Sequence, residues 1–330
     1  MQATGVPQCS VIVLNWNGRA HLPECLEALS RQTFRDFELI VVDNGSTDGS
    51  VEWIKGHHPE VRVIALPQNR GFSGGNNGGL KAALGSHVIL LNNDTRPEAD
   101  LIERLSTCAD TRKQAGIVAA HLVDWEGSFT DSAGDGCRVT GRCFGRHRRR
   151  PASEAPPSGP VFGACAGAAL YRRECIEDVG FLDEDFFLNF EDCDLSFRAR
   201  LRGWQVWFCR EAVVRHRMSA TQGTWSRINT YYGSRNHIWV CLKNMPSWLL
   251  FKYAPLNLLQ VAAVGAVAAR HGQAWPYFKG ILDGIIGAPK MLRKRREIMA
   301  RRTLSTPELE RLLSPLNLNL GALRRLLRHR

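Results

Sequence analysis

The chain has 330 residues, 44% of them hydrophobic and 23% charged, which excludes a disordered or fibrous polymer and leaves one large α/β domain with appendages, or two domains. Its net charge of +11 is gathered at one end: from Arg270 onward 14 Lys and Arg face 4 Asp and Glu, and the remainder holds 29 against 28. A near-neutral body therefore carries a basic tail, and such a tail can meet nucleic acid or an anionic membrane surface. Residues 1–10 are short and polar, and the apolar run after them is too brief for the core of a signal peptide, so none is expected. The ten cysteines are scattered, several of them (Cys165, Cys209, Cys241) inside apolar segments, which reads as a reduced, cytosolic protein. Cys137 and Cys143 are close, but no paired CxxC set suggests structural zinc.

Ser10-Val11-Ile12-Val13-Leu14 reads as a buried parallel strand that ends at Asn15-Trp16-Asn17-Gly18, with a helix after it through Leu22, Cys25, Leu26 and Leu29. A second strand, Phe37 through Val42, stops at the turn Asp43-Asn44-Gly45-Ser46-Thr47-Asp48, and a helix through Val51 and Ile54 follows. Val61 through Ala65 is a third strand, and a Gly/Asn loop over 69–79 leads to a helix through Ala82 and Leu84. His87 through Leu91 is a fourth, ending at Asn92-Asn93-Asp94. Alternating strands and helices imply a doubly wound, mostly parallel sheet, in which ligands bind at the carboxyl ends of strands. Polar clusters stand at each of those ends: Asn15 and Asn17, Asp43 and Asn44, Asn69 and Arg70, Asn92 and Asp94.

Residues 125–160, rich in Gly, Ser, Arg and Pro, read as a surface loop or irregular hairpin. A helix is expected over 191–203 and a strand over 204–208. The segment 249–269 is apolar but interrupted by Lys252, Pro255, Asn257 and Gln260; its unbroken part, 261–269, is too short to span a bilayer, so an interfacial helix fits better. Thr306-Pro307-Glu308 reads as the start of a last helix with Thr306 as its cap.

The glycine-rich run looks like a phosphate cradle, but it is neither a dinucleotide fingerprint nor a Walker loop. Asp94 at a strand end can hold a hard divalent ion, which in turn binds a diphosphate. Glu191-Asp192-Cys193-Asp194 has a plain reading, complementing a helix dipole, yet it emerges from the apolar run Phe186-Phe187-Leu188-Asn189-Phe190. His216 alone is more often structural than a ligand.

These segments, in this order and spacing, resemble the family 2 glycosyltransferases of the GT-A fold, and more narrowly their bacterial rhamnosyltransferase-like branch, over about residues 8–240. The match rests on Asp43 to Asp48, Asn69-Arg70-Gly71-Phe72, Asn92-Asn93-Asp94 and Glu191 to Leu195, with Phe181 to Phe187 as the approach to the acids. The resemblance implies a GT-A-type, Rossmann-like mixed sheet flanked by helices, in a catalytic domain over 1–240. Residues 1–100 would form its nucleotide-sugar half and 101–240 its acceptor half; a helical, basic, membrane-interfacial extension fills 241–330. It implies Asp192 as the catalytic base, and Asn15, Asn17, Asp43, Asn69, Arg70, Asn76 and Asn92 as the nucleotide-sugar pocket. Asp94 and His216 would hold Mg2+ or Mn2+, although Asn92 replaces an acid at the first position of the metal element. Glu191, Asp194, Trp204 and Arg235 are candidates for the acceptor side.

One base and one metal suffice for a single displacement with inversion. The branch, Asn92 to Thr95 and Tyr231-Tyr232 with Arg235-Asn236 suggest dTDP-L-rhamnose as donor; UDP-sugars, galactofuranose and hexose donors, and a non-catalytic sugar-nucleotide-binding subunit, are the alternatives. The basic run in 290–302 beside an apolar helix suits peripheral attachment to an anionic membrane on the cytoplasmic face of a bacterial inner membrane. The expected acceptor is a lipid-linked saccharide or oligosaccharide, and a homodimer is an option. Nucleic acid is not an expected partner, because Trp275 and Tyr277 precede the basic run and do not interleave with it.

Overall fold

The computed structural model describes residues 5–217 and 225–316. Its first half alternates β1 (Cys9–Asn15), α1 (Leu22–Ser30), β2 (Phe37–Asp43), α2 (Ser50–His57), β3 (Arg62–Ala65), α3 (Gly71–Leu80) and β4 (His87–Asn92). There follow β5 (Thr95–Pro97), α4 (Leu101–Thr111), β6 (Ala115–Val123), β7 (Thr130–Ala133), the hairpin β8 (Asp135–Cys137) and β9 (Cys143–Gly145), β10 (Gly159–Val161) and β11 (Ala168–Arg172). Then come α5 (Arg173–Val179), α6 (Glu191–Leu201) and β12 (Gln205–His216), and five helices: α7 (Arg227–Asn244), α8 (Ser247–Arg270), α9 (Ala274–Ile286), α10 (Ala288–Arg301) and α11 (Thr306–Leu312).

The main sheet runs β10-β12-β6-β11-β4-β1-β2-β3, with β5 on β12 and β7 on β6. Strands β4, β1, β2 and β3 are parallel. β11 lies antiparallel between β4 and β6, and β6 and β12 are parallel. The fold class is therefore the expected mixed, mostly parallel α/β sheet. Side chains of a strand alternate between faces, so Val11 and Val13 pack with α1 and α4 on one side, and Ile12, Ile40 and Val42 share the other face's core with Leu195 and Ala199 of α6. Two reversals of direction cancel, so the carboxyl ends of β1, β2, β4, β6 and β12 share one edge. That edge collects Asn15, Asp43, Asn92 and His216.

Several expectations are corrected. The Gly/Asn run is not a loop cradling phosphate: residues 71–80 are helix α3. Its glycines let the helix lie on the sheet, since a Cβ on Gly79 would stand 2.6 Å from Ile12 and one on Gly75 would enter the Leu14 side chain. Residues 125–160 are not merely surface: β7 is buried throughout and pairs with β6. Cysteine chemistry also differs, because Cys143 and Cys193 form a disulfide across 50 residues with Cα atoms 6.1 Å apart; only the fold brings the hairpin onto the first turn of α6. The apolar helix α8 runs unbroken through Pro255 for 24 residues, long and apolar enough to cross a membrane by length and composition. The last helix is capped by Ser305, one residue before Thr306, in a capping box with Glu308.

Helix α7 runs across residue 240, and its Trp239 and Val240 join Phe186 and Phe197 of the body and Met291 and Leu309 of the later helices in a third core. Lys290 and Lys294 of α10 reach Asp185 (2.5 and 2.7 Å), and Lys294 also Asp183 (2.6 Å). Part of the basic run is thus turned toward the body. Arg324, Arg325, Arg328 and Arg330 lie outside the described residues.

Candidate active site

At the ends of β1 and β2 a polar lattice replaces apolar packing. Asn15 donates through Nδ2 to Asp43 (2.9 Å) and Ser46 (3.3 Å), and its Oδ1 accepts from Asn93 (2.7 Å). Asp43 also accepts from the Ser46 amide (2.9 Å). Asn17, exposed and at φ 50°, accepts from the Thr47 amide (2.9 Å) and joins the two turns. Asn69 accepts from Asn44 (3.0 Å) and the Gly71 amide (2.7 Å). Arg70 pairs with Glu184 (2.7 Å). Asn76 is buried and donates to Phe72 O (3.0 Å), within its own helix. Asn92 bonds through its backbone: its N–H donates to Gly167 O, and its carbonyl accepts from Thr95.

Asp94 and His216, far apart in the chain, lie side by side. The short strand β5 pairs with the end of β12 and sets Thr95 opposite His216. Asp94 Oδ1 is buried, has no hydrogen bond among the described residues, and stands 3.5 Å from His216 Nε2. Nδ1 of the same ring meets Asp131 Oδ2 at 3.0 Å. Burial opposes charge on His216, but Asp131 and Asp94 outweigh it and the imidazole is raised to about 9. The pair fits a divalent ion: two donors bonded to one ion at about 2.1 Å each stand roughly 3 to 3.5 Å apart. Asp131 then does what a carboxylate behind a ligating histidine does, fixing ring and tautomer. Two side chains leave most of a coordination sphere to water or ligand oxygens.

Asp192 opens into a cavity of about 440 Å³ lined also by His216, Asp131, Asp135 and Cys143. It accepts from the amides of Cys193 (2.7 Å) and Ala166 (3.4 Å). Burial raises its pKa, with those amides opposing. Burial and then the Asp192 charge hold Asp135 at about 7, and the same two causes push Glu191 well up. Glu191 is buried, and its Oε2 has no hydrogen bond among the described residues.

The segment before Asp192 is strained. Phe187, Asn189 and Phe190 have φ of 61°, 68° and 70°, a region bulky residues rarely enter. Asn236 holds it by standing within 2.8 Å of the carbonyls of Phe186, Leu188 and Asn189. Arg235 donates to the carbonyls of Asp185 and Phe186 (2.8 and 3.0 Å), and Tyr232 stacks on Phe187. So Arg235 supports the base's loop and does not line the cavity, although Gly233 of the same helix does. Two further acceptor candidates also fall away. Asp194 is fully buried among Lys243, Arg198 and Asn244, each 2.8 Å away, and the positive charges hold its pKa down against burial. Trp204, at the opposite end of β12, donates to Asp178 (2.9 Å). Asp131 and Asp135 were missed; their signal was a pair of carboxylates among small residues (Thr130, Ser132, Ala133, Gly134) inside an otherwise basic stretch.

The family model for glycosyl transferase family 2 matches residues 10–180. The low-salt glycan biosynthesis hexosyltransferase Agl10 of Haloferax volcanii is 24% identical over 243 residues, covering 72% of this chain and 76% of that protein. The N-acetylglucosaminyl-diphospho-decaprenol L-rhamnosyltransferase of Mycobacterium tuberculosis is 28% identical over 240 residues, covering 64% and 77%. Among solved structures, the mannosyltransferase PcManGT from Pyrobaculum calidifontis, in complex with GDP-Man and Mn2+, superposes with a TM-score of 0.53 at 18% identity, over 98% of this chain and 81% of that one. GalNAc-T7 with UDP, GalNAc and Mn2+ gives 0.59 at 16%, over 76% and 51%. These two share the GT-A-type fold. With the family model spanning more than half of its length, the chain belongs to glycosyl transferase family 2.

Proposed function

We propose that the protein is an inverting glycosyltransferase that moves a sugar, L-rhamnose from dTDP-L-rhamnose, onto a saccharide carried by a lipid. The observation that carries this reading is one cavity into which a buried-edge carboxylate, Asp192, and a carboxylate-oriented histidine, His216, both open. The acceptor hydroxyl attacks the anomeric carbon while Asp192 takes its proton, and the bond to the diphosphate oxygen breaks on the opposite face. A single displacement inverts the centre. Asn15 and Asp43 present fixed polar groups to the nucleotide, and Asn17 and Asn69 brace the turns around it. Asp94 and His216 would hold Mg2+ or Mn2+, which when bound neutralises charge on the leaving diphosphate. The mycobacterial relative, an N-acetylglucosaminyl-diphospho-decaprenol L-rhamnosyltransferase, supports both L-rhamnose and a lipid-diphosphate acceptor.

Attachment to the cytoplasmic face of a bacterial inner membrane is part of this reading. Trp248 and Phe251 of α8 and Trp275, Phe278 and Ile286 of α9 are exposed. Arg293 and Arg296 of α10 are exposed too, which suits an interfacial face beside anionic headgroups. A panel of dTDP-, UDP- and GDP-sugars, screened by thermal shift with and without Mn2+ or Mg2+, tests the donor assignment. dTDP-L-rhamnose with metal should raise the transition most; a larger rise with another nucleotide sugar would reassign the donor, and none with any would count against transfer.

A further inference from the structure

Arg142 sits in the turn between β8 and β9, next to the catalytic cavity, and it lacks what a half-buried cation normally has. Among the described residues its guanidinium has no hydrogen bond and no carboxylate partner, whereas Arg148 nearby pairs with Asp131. Asp131, Asp135 and Asp192 line the same cavity but none is within ion-pair distance of Arg142, and the groups that act on it most directly are not anionic. Burial depresses His237 to about 4 and raises Tyr277 to about 12, and Arg138 adds a further positive charge. A cation withdrawn from water without a counter-charge is costly, and an anionic ligand would remove that cost.

Arg142 is also a boundary. With Phe190 and Gly233 it lines both the catalytic cavity and a second cavity of about 130 Å³. The second is walled by Trp225, Val261, Val264 and Tyr277 on one side and by the polar Thr230, Ser234, His237 and Gln260 on the other. Val261 and Val264 belong to α8 and Tyr277 to α9, the two helices whose other faces expose Leu258 and Phe278. A path thus runs from Asp192, past one unpaired cation, into a cleft with one apolar wall, and toward an exposed apolar surface. Its polarity sequence matches an amphiphile with a sugar at one end, phosphate in the middle and hydrocarbon at the other.

We infer that Arg142 and the cleft beyond it form the acceptor's lipid-diphosphate subsite, with phosphate oxygens on the guanidinium and the first stretch of an isoprenyl-type chain between α7 and α8, against Val261, Val264 and Tyr277. This rests on the transferase reading of the Asp192 cavity. Chain beyond that stretch follows the exposed faces of α8 and α9.

Calorimetric titration of the full chain with farnesyl diphosphate, farnesol and inorganic diphosphate tests it, with dTDP-induced thermal shift in Mn2+ as a separate readout of the donor site. Wild type should bind farnesyl diphosphate more tightly than either fragment. Arg142→Ala should weaken it by about tenfold or more while leaving farnesol and the dTDP shift unchanged, and Val264→Phe, which fills the cleft, should weaken farnesyl diphosphate and farnesol together. Arg142→Lys should recover part of the affinity. Unchanged farnesyl diphosphate binding in Arg142→Ala would overturn the subsite. So would inorganic diphosphate binding as tightly as the isoprenyl compound, which would mark a free-anion site, or a parallel loss of the dTDP shift, which would assign Arg142 to the donor. Absence of a dTDP shift in wild type would instead strike the transferase reading, and farnesyl diphosphate binding would be judged independently of it.

Discussion

Three non-glycine residues in left-handed backbone stand just before Asp192, each costing on the order of 1–3 kcal/mol. Asn236 and Arg235 restrain that turn through its carbonyls, so the strain fixes where the base sits. Asn236→Ala should therefore lower kcat for sugar transfer while the donor's dissociation constant stays within error; equal effects on both would assign Asn236 to overall stability. Asp192→Asn should slow single-turnover transfer by about 10²- to 10⁴-fold with the donor still bound. Because burial raises the Asp192 pKa and the base works ionised, the acid limb of the rate profile should lie above the usual carboxylate range near 4, with activity gained as pH rises through it. A limb within that range would contradict the burial of the base. For the metal side, Asp131→Asn removes the group that orients His216, and Mn2+ affinity read from the metal dependence of the donor's thermal shift should fall by about 10- to 100-fold.

At the scale of elements, the glycine-rich helix α3 and the charge cluster behind α6 do the positioning. Gly79→Ala would drive a methyl against Ile12, and overpacking of this kind costs about 1–3 kcal/mol, measurable as a lower urea midpoint at unchanged slope. Lys243 is buried between Asp183 (2.7 Å) and Asp194 (2.8 Å). Lys243→Met should cost about 3–5 kcal/mol, the price of leaving buried carboxylates short of a partner. Asp183 and Asp194 are both held below the ordinary carboxylate range, chiefly by Lys243 acting against burial. The stability they contribute is therefore present above that range and lost as pH falls below it. Strands β1, β2 and β4 were legible as continuous apolar runs because both faces of each are buried, and α1 by its single apolar face. Sequence periodicity misread 71–80 because glycine's low helix propensity hides a helix whose reason for glycine is close contact with Ile12 and Leu14. Residues 130–137 escaped because their burial comes from β6, distant in sequence. Asp94 and His216 were legible as a pair only through a family pattern, since 121 intervening residues separate them in the chain, whereas Asp194, a candidate for the acceptor side, proves to be a buried ion-pair partner.

Across the whole molecule, four of the five C-terminal helices, α7, α8, α10 and α11, share a core with the body and α10 turns Lys290 and Lys294 inward, while α8 and α9 present aromatic side chains outward. Vesicles containing anionic lipid should therefore retain the protein in flotation more than neutral ones, and Trp248→Ser with Phe251→Ser should reduce retention at any salt concentration; binding unaffected by these changes would remove the apolar face from the membrane reading. The sugar-transfer claim itself is tested most directly by the anomeric configuration of the product. Proton NMR of the reaction with dTDP-L-rhamnose and a lipid-linked saccharide should show a glycoside inverted relative to the donor in wild type and no product from Asp192→Asn. A retained configuration, or transfer by Asp192→Asn at the wild-type rate, would contradict it.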